Sequence, residues 1–252
     1  MSAYETTLQL TAHDAWAQQF WDQLEPLKNK ISQHIFFEEM ASGKLSLDAF
    51  RYALTNFYPL VAHFPAYMGL ALSKALHFEQ QGVTESRNWL IQNIKVEERH
   101  LAWYQDWAMG FGITLDELHH AEPNAAMNAV NHYLWHINLR GDLAESLAAT
   151  NLAIEWATGD WSVQVYKGIE HYTQYSEVSI SKRSMAWLRA HAHYDDLHPY
   201  EAMELIKMLC QGEPELQQKA FKAAKDGLAY YLMALDDCYQ VQLSQGAVAQ
   251  IA

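Results

Sequence analysis

The sequence predicts an all-α protein, a single domain spanning residues 1–252 and built as a bundle of about eight or nine helices. Three observations predict it. Apolar residues recur at spacings of three and four almost throughout, as in "DAWAQQFWDQL" and "ESRNWLIQNIKVEERHLAWYQDWAMGF", which is the period of helices with one buried face. No segment sustains the period-two alternation of a half-buried strand. Only six prolines and eleven glycines punctuate the chain, without a repeat, a low-complexity tract or a linker.

Taken in order, the helices show recognisable ends. After "DAWAQQFWDQL", a stop reads at Gly43 and a start at Ser46 or Asp48. The following run, "NFYPLVAHFPAYMGLALSKAL", contains Pro59 and Pro65. It should be kinked or broken there, because proline cannot donate its helical hydrogen bond. A start reads at Thr84 with Ser86 and a stop at Gly110 with Gly112. Thr114 with Glu117, and Asp142 with Glu145, have the spacing of capping boxes. Further stops read at Gly141, Gly159 and Gly212.

Composition narrows the function classes. Half of the residues are hydrophobic and nine are tryptophan, enough for a large aromatic core. The formal charge of -13 repels phosphate backbones and anionic lipid surfaces, so neither nucleic acid nor a membrane is an expected partner. Cys210 and Cys238 form neither a disulfide framework nor a zinc-type spacing. With no signal-peptide pattern and no long apolar run, the expected location is the cytoplasm.

Three polar clusters lie on helices that should be buried. In "VEERH", Glu97 and His100 share a face at i and i+3, the spacing that lets one helical turn offer an oxygen and a nitrogen to a metal. Taken alone, this turn reads equally as a solvated charged one. Glu155 lies among Leu152, Ile154, Trp156 and Ala157. A carboxylate there is exposed, paired, protonated or on a metal, because an isolated buried charge is too costly. In "HAHYDDLHPYEA", His191, Asp195 and His198 fall on one stripe at i, i+4 and i+7, while His193, Asp196 and Glu201 point away as support or surface. Pro199 marks either a kink beside that stripe or an ordinary helix break. Together Glu97, His100, Glu155, His191, Asp195 and His198 supply three carboxylates and three imidazoles from three helices. That inventory suits two ferrous ions per chain, with positions open for dioxygen as co-substrate.

These segments resemble the haem-oxygenase-like di-iron oxidases, which share the TenA/PqqC-like fold, and most of all the UndA-type fatty-acid decarboxylases. The likeness covers nearly the whole chain and is densest in "RNWLIQNIKVEERHLAWYQDWAMGFGITLDEL", "SLAATNLAIEWATGDWS" and "MAWLRAHAHYDDLHPYEAMELI". It implies that the same six residues hold iron and carry the catalysis. It further implies a medium-chain fatty acid or similar small carboxylate as substrate, a terminal alkene as product, and a separate, unidentified electron donor. One position departs. The decarboxylases have a glutamate in the segment where this chain reads "PLVAHFPAYM", so His63 is either a further ligand or a hydrogen-bonded core histidine.

Relatives on this fold offer alternatives. TenA-type hydrolases of thiamin-type heterocycles use a cysteine nucleophile, whereas Cys210 and Cys238 lie outside the three clusters. Self-sacrificing aminobenzoate synthases use a tyrosine where this chain has Ile154. A metal-free binding or regulatory protein is a third class. If a substrate channel exists, Phe57, Tyr58, Phe64, Tyr67, Met68, Tyr104, Trp107 and Trp156 are candidates to line it, each equally explained as core. Asn93, Asn151 and Asp196 are candidates to hold the second nitrogens of the imidazoles. Bundles of this type often pair, which makes a homodimer an expectation.

Overall fold

The computed structural model describes residues 8–193 and 197–249. Among them every regular element is helical. Helix α1 (Ala15–Ser32) starts where the Asp14 side chain accepts from the Ala17 amide, and it buries Ala17, Phe20, Leu24 and Ile31 along one face. After the short α2 (Ile35–Ala41), Ser46 caps α3 (Leu47–Leu72) by accepting from the Ala49 amide.

The expected break in α3 does not occur, because the helix runs unbroken through both Pro59 and Pro65. Each proline costs a hydrogen bond, and packing along α4 (Val83–Gly110) and α6 (Ala125–Arg140) holds α3 together. The buried Tyr104 hydroxyl also ties α4 to α3 by donating to the Leu54 carbonyl at 2.9 Å. The start of α4 also differs from the Thr84 and Ser86 signal. Gly82 precedes it with φ 79°, and a side chain there would meet Met208 and the Leu209 amide. Backbone conformation and close approach, not a hydroxyl cap, set this start.

Both expected capping boxes form, Thr114 with Glu117 on α5 (Leu115–His119) and Asp142 with Glu145 on α7 (Leu143–Leu147). From α7 the chain continues without a break through a π-helical turn, Ala148–Leu152, into α8 (Ala153–Gly168) and a 3-10 tail, Ile169–Gln174. Gly159 is therefore interior to α8 and not a stop; its Cα faces the His191 carbonyl of the neighbouring helix. Helix α9 (Ala186–His193) and α10 (His198–Leu209) divide what reads in sequence as one run, with Pro199 in the first turn of α10, where proline is well tolerated. The long α11 (Pro214–Ala249) closes the bundle against α6, α1 and the π turn. No helix among the described residues is long and apolar enough to cross a membrane.

Close backbone approach makes one position sensitive. A Cβ on Gly168, at the end of α8, would overlap the backbone carbonyl of Ala41 at the end of α2. Overpacking of this kind costs about 1–3 kcal/mol or more. Gly168→Ala is expected to lower the melting temperature by several degrees in a thermal scan. Gly69→Ala, where nothing lies within 4 Å, should leave it unchanged or slightly raised.

Candidate metal centre

The side chains that converge come from four helices. Glu97 and His100 project from the middle of α4, 6% and 1% exposed, and His100 Nδ1 lies 3.1 Å from a Glu97 carboxylate oxygen. Glu155 occupies the first turn of α8, directly after the π turn. A π turn adds a residue to the helical turn and so rotates the side chains beyond it about the helix axis. Here it also places Asn151 so that its amide donates to Glu155 Oε1 at 2.8 Å. His198 opens α10, and its Nδ1 lies 2.9 Å from Glu155 Oε2. Ligand atoms of Glu97, Glu155 and His198 all lie within 4.8 Å of one another. His191, on α9, brings its ring to 4.7 Å from that of His100, and its Nδ1 contacts the Trp187 carbonyl at 2.9 Å.

The electrostatics reflect this crowding. Burial pushes the Glu97 carboxyl up, but His100, His191 and His198 together outweigh it and hold the group below the ordinary carboxylate value. Burial also dominates at Glu155, where His198 and Asn151 favour the charge and Glu97 repels it; the group ends above the ordinary value. Bringing two carboxylates to one buried point is unfavourable unless a proton or a cation offsets their repulsion. A divalent cation removes the conflict. Oxygen and imidazole donors with no thiolate suit iron, so the residues present fit that metal.

An apolar cavity of about 70 Å³ adjoins the cluster, several times the space one water needs on the same measure. Glu97, Glu155 and His191 form its polar wall. Of the residues expected to line a channel, Phe57, Phe64, Tyr104 and Trp107 do so. Tyr58, Tyr67, Met68 and Trp156 are not in its wall. Tyr67 instead donates to Asn131 at 2.8 Å, and Trp156 packs tilted against Trp21 beneath the Lys28 ammonium. His63 also stays outside the wall, its ring against Tyr67 and Trp135 and its buried Nδ1 without a partner. Asp195 and Asp196 lie outside the described residues. Asn93 donates to the Trp89 carbonyl of its own helix rather than to an imidazole.

Three features escape a reading of the sequence. Glu201 is not surface: it is 4% exposed and accepts from Trp89 Nε1 at 2.7 Å, tying α4 to the first turn of α10 beside His198. Trp187 stacks on His191 at 3.9 Å. Its place four residues before His191 was the available signal, since i and i+4 share a helical face. The cavity wall contributed by Phe36, Phe37 and Tyr231 comes from helices remote in sequence and carried no such mark.

Residues 51–232 match the family of iron-containing redox enzymes of haem-oxygenase type, and the chain belongs to that family. It is similar to a TenA homologue from Pseudomonas syringae pv. tomato of known crystal structure, 33% identical with a TM-score of 0.84, over 95% of this chain and 100% of that one. It is also 26% identical to an uncharacterized protein of Haemophilus influenzae, over 87% of this chain and 98% of the relative. A 4-aminobenzoate synthase of Chlamydia trachomatis is 23% identical over 84% of this chain and 90% of that enzyme.

The contact from Asn151 to Glu155 yields a test. Partners that orient a metal-binding carboxylate are worth about 10–100-fold in affinity. Asn151→Ala should weaken ferrous-iron binding by that factor in an anaerobic titration, with the helical circular dichroism unchanged.

Proposed function

We propose that the chain is an oxygen-dependent non-haem iron enzyme, with two irons per chain, that oxidatively decarboxylates a medium-chain fatty acid or a similar small carboxylate to a terminal alkene. The convergence of Glu97, Glu155 and His198 beside an apolar cavity carries this reading, and family membership supports its iron and its redox class. Glu97, His100, Glu155, His191 and His198 would hold the metal, joined by Asp195 on the strength of the resemblance.

When bound, ferrous iron supplies the reduction of dioxygen and the oxidising power to take a hydrogen atom from an unactivated carbon. The protein's own contribution is placement. His100 and His198 keep the two carboxylates oriented by their Nδ1 contacts, and Asn151 fixes the other oxygen of Glu155. Phe57, Phe64, Tyr104 and Trp107 exclude water from the reacting end. The balance is one acid, one dioxygen, two protons and two electrons giving one alkene, one carbon dioxide and two waters. The electrons come from an external one-electron donor.

A second reading, a TenA-type hydrolase of a thiamin-type heterocycle, draws support from the TenA homologue. The thiols weigh against the cysteine chemistry it needs. Cys210 and Cys238 are fully buried away from the cavity, and burial pushes both up to about 12.

Anaerobic loading with ferrous iron, followed by oxygen and a panel of saturated fatty acids, decides between them. The proposal expects headspace alkene one carbon shorter than the acid, abolished by chelation. Heterocycle hydrolysis that survives chelation would establish the second reading instead.

A further inference from the structure

One aromatic series beside the metal-binding residues has no part in the cavity. Trp156 directly follows Glu155 in α8, is buried, and is not in the cavity wall. Its ring lies 3.9 Å from that of the half-buried Trp21 on α1, tilted by 37°. Trp21 stacks in turn on Tyr200 at 5.2 Å and 24°. Tyr200 is 44% exposed and stands two residues after His198, in the first turn of α10. Three rings in contact thus run from solvent to a residue one peptide bond from a proposed iron ligand.

The kinds of ring matter. Indole and phenol can each give up one electron to a strong oxidant, which phenylalanine and aliphatic side chains do not do readily. Electron transfer slows exponentially with distance, so rings in contact replace one long transfer by several short ones. The Lys28 ammonium stands 4.9 Å over the Trp156 ring and pairs with Asp160. A cation there opposes positive charge on that ring. Only a strong oxidant draws an electron from Trp156, and the vacancy then moves outward to Trp21 and Tyr200, where the phenol can release its proton to solvent. Trp89 and Trp187 also touch proposed ligands, His198 and His191, but both are buried. Trp103, half-buried against His100 at 5.4 Å, is the competing exit and lacks a phenol at its outer end.

We propose that Tyr200, Trp21 and Trp156 form the route by which electrons from a one-electron donor at the surface reach the metal centre after it has reacted with oxygen. The inference rests on the iron and the external donor of the proposed function, not on the fatty acid. Each passage moves one electron inward. The oxidised centre takes it from Trp156, Trp156 is refilled from Trp21, and Trp21 from Tyr200. Tyr200, having given its hydroxyl proton to solvent, takes an electron from the donor and a proton back.

Replacing either residue type by phenylalanine keeps a ring and removes the readily oxidised group. Ferrous-loaded wild type, Y200F, W21F and W103F are mixed with oxygen in the absence of any fatty acid, freeze-quenched and examined by electron paramagnetic resonance. Wild type is expected to show a tyrosyl radical that loses its ring-proton splitting when the protein carries ring-deuterated tyrosine, and that ascorbate, as one-electron donor, erases. Y200F and W21F are expected to lose this signal while their iron is still oxidised and their helical circular dichroism is unchanged; W103F is expected to keep it. A signal that persists in Y200F or W21F, or that vanishes in W103F, would overturn the route. Iron oxidation without any aromatic radical in wild type would do the same, leaving the iron reading in place. Ferrous protein that does not react with oxygen would overturn the iron reading and this inference with it.

Discussion

The arrangement turns on one electrostatic constraint: two glutamates from different helices meet at a buried point where, among the described residues, imidazoles and the Asn151 amide offset them. Glu97 and Glu155 have ligand atoms within 4.8 Å of one another and of His198. Bringing like charges together out of water is unfavourable unless a proton or a cation intervenes. The two are affected unequally: the surrounding imidazoles hold Glu97 below the ordinary carboxylate value, while burial leaves Glu155 above it. Several otherwise costly features of the fold serve this meeting. The π turn sets Glu155 and Asn151 in register, and Trp89 bonded to Glu201 docks the start of α10 where His198 is needed. From the far side, Thr11 donates to Glu204 while Lys207 bonds Glu204 and the Thr11 and Ala12 carbonyls, so the segment before α1 straps α10 in place.

The cavity depends on the same packing. Its apolar wall is assembled from α2, α3, α4, α8, α9 and α11, so no single helix defines it and any rearrangement of the bundle changes its shape. Close side-chain packing of this kind resists small deformations. That rigidity suits the proposed oxidation, which would have to be kept from water. Burial of Cys210 and Cys238 likewise leaves both thiols in their neutral, unreactive form.

Much of this was legible in the sequence, for local reasons. Helical periodicity reflects which face each helix buries, and the capping boxes at Thr114 and Asp142 are contained within four residues. Glu155 stood out because its neighbours are apolar. What escaped depends on partners distant in the chain. Pro59 and Pro65 break hydrogen bonds locally, but tertiary packing carries α3 through them. Gly159 resembles a helix stop, although it lies inside α8 beside the backbone of α9. Glu201 looks solvated until Trp89, from another helix, supplies its donor, and Tyr67 and Trp156 find partners in Asn131 and Trp21 that no spacing reveals. The division of "HAHYDDLHPYEA" between α9 and α10 was likewise open, since proline is compatible with a kink or a helix start.

On the proposed function, a metal ion reconciles Glu97 with Glu155. Crystals grown and soaked anaerobically with ferrous iron, measured on both sides of the iron absorption edge, test it directly. Anomalous density is predicted between the Glu97, Glu155 and His198 side chains. Iron density confined to other sites, or none under conditions that saturate the protein in solution, would contradict it.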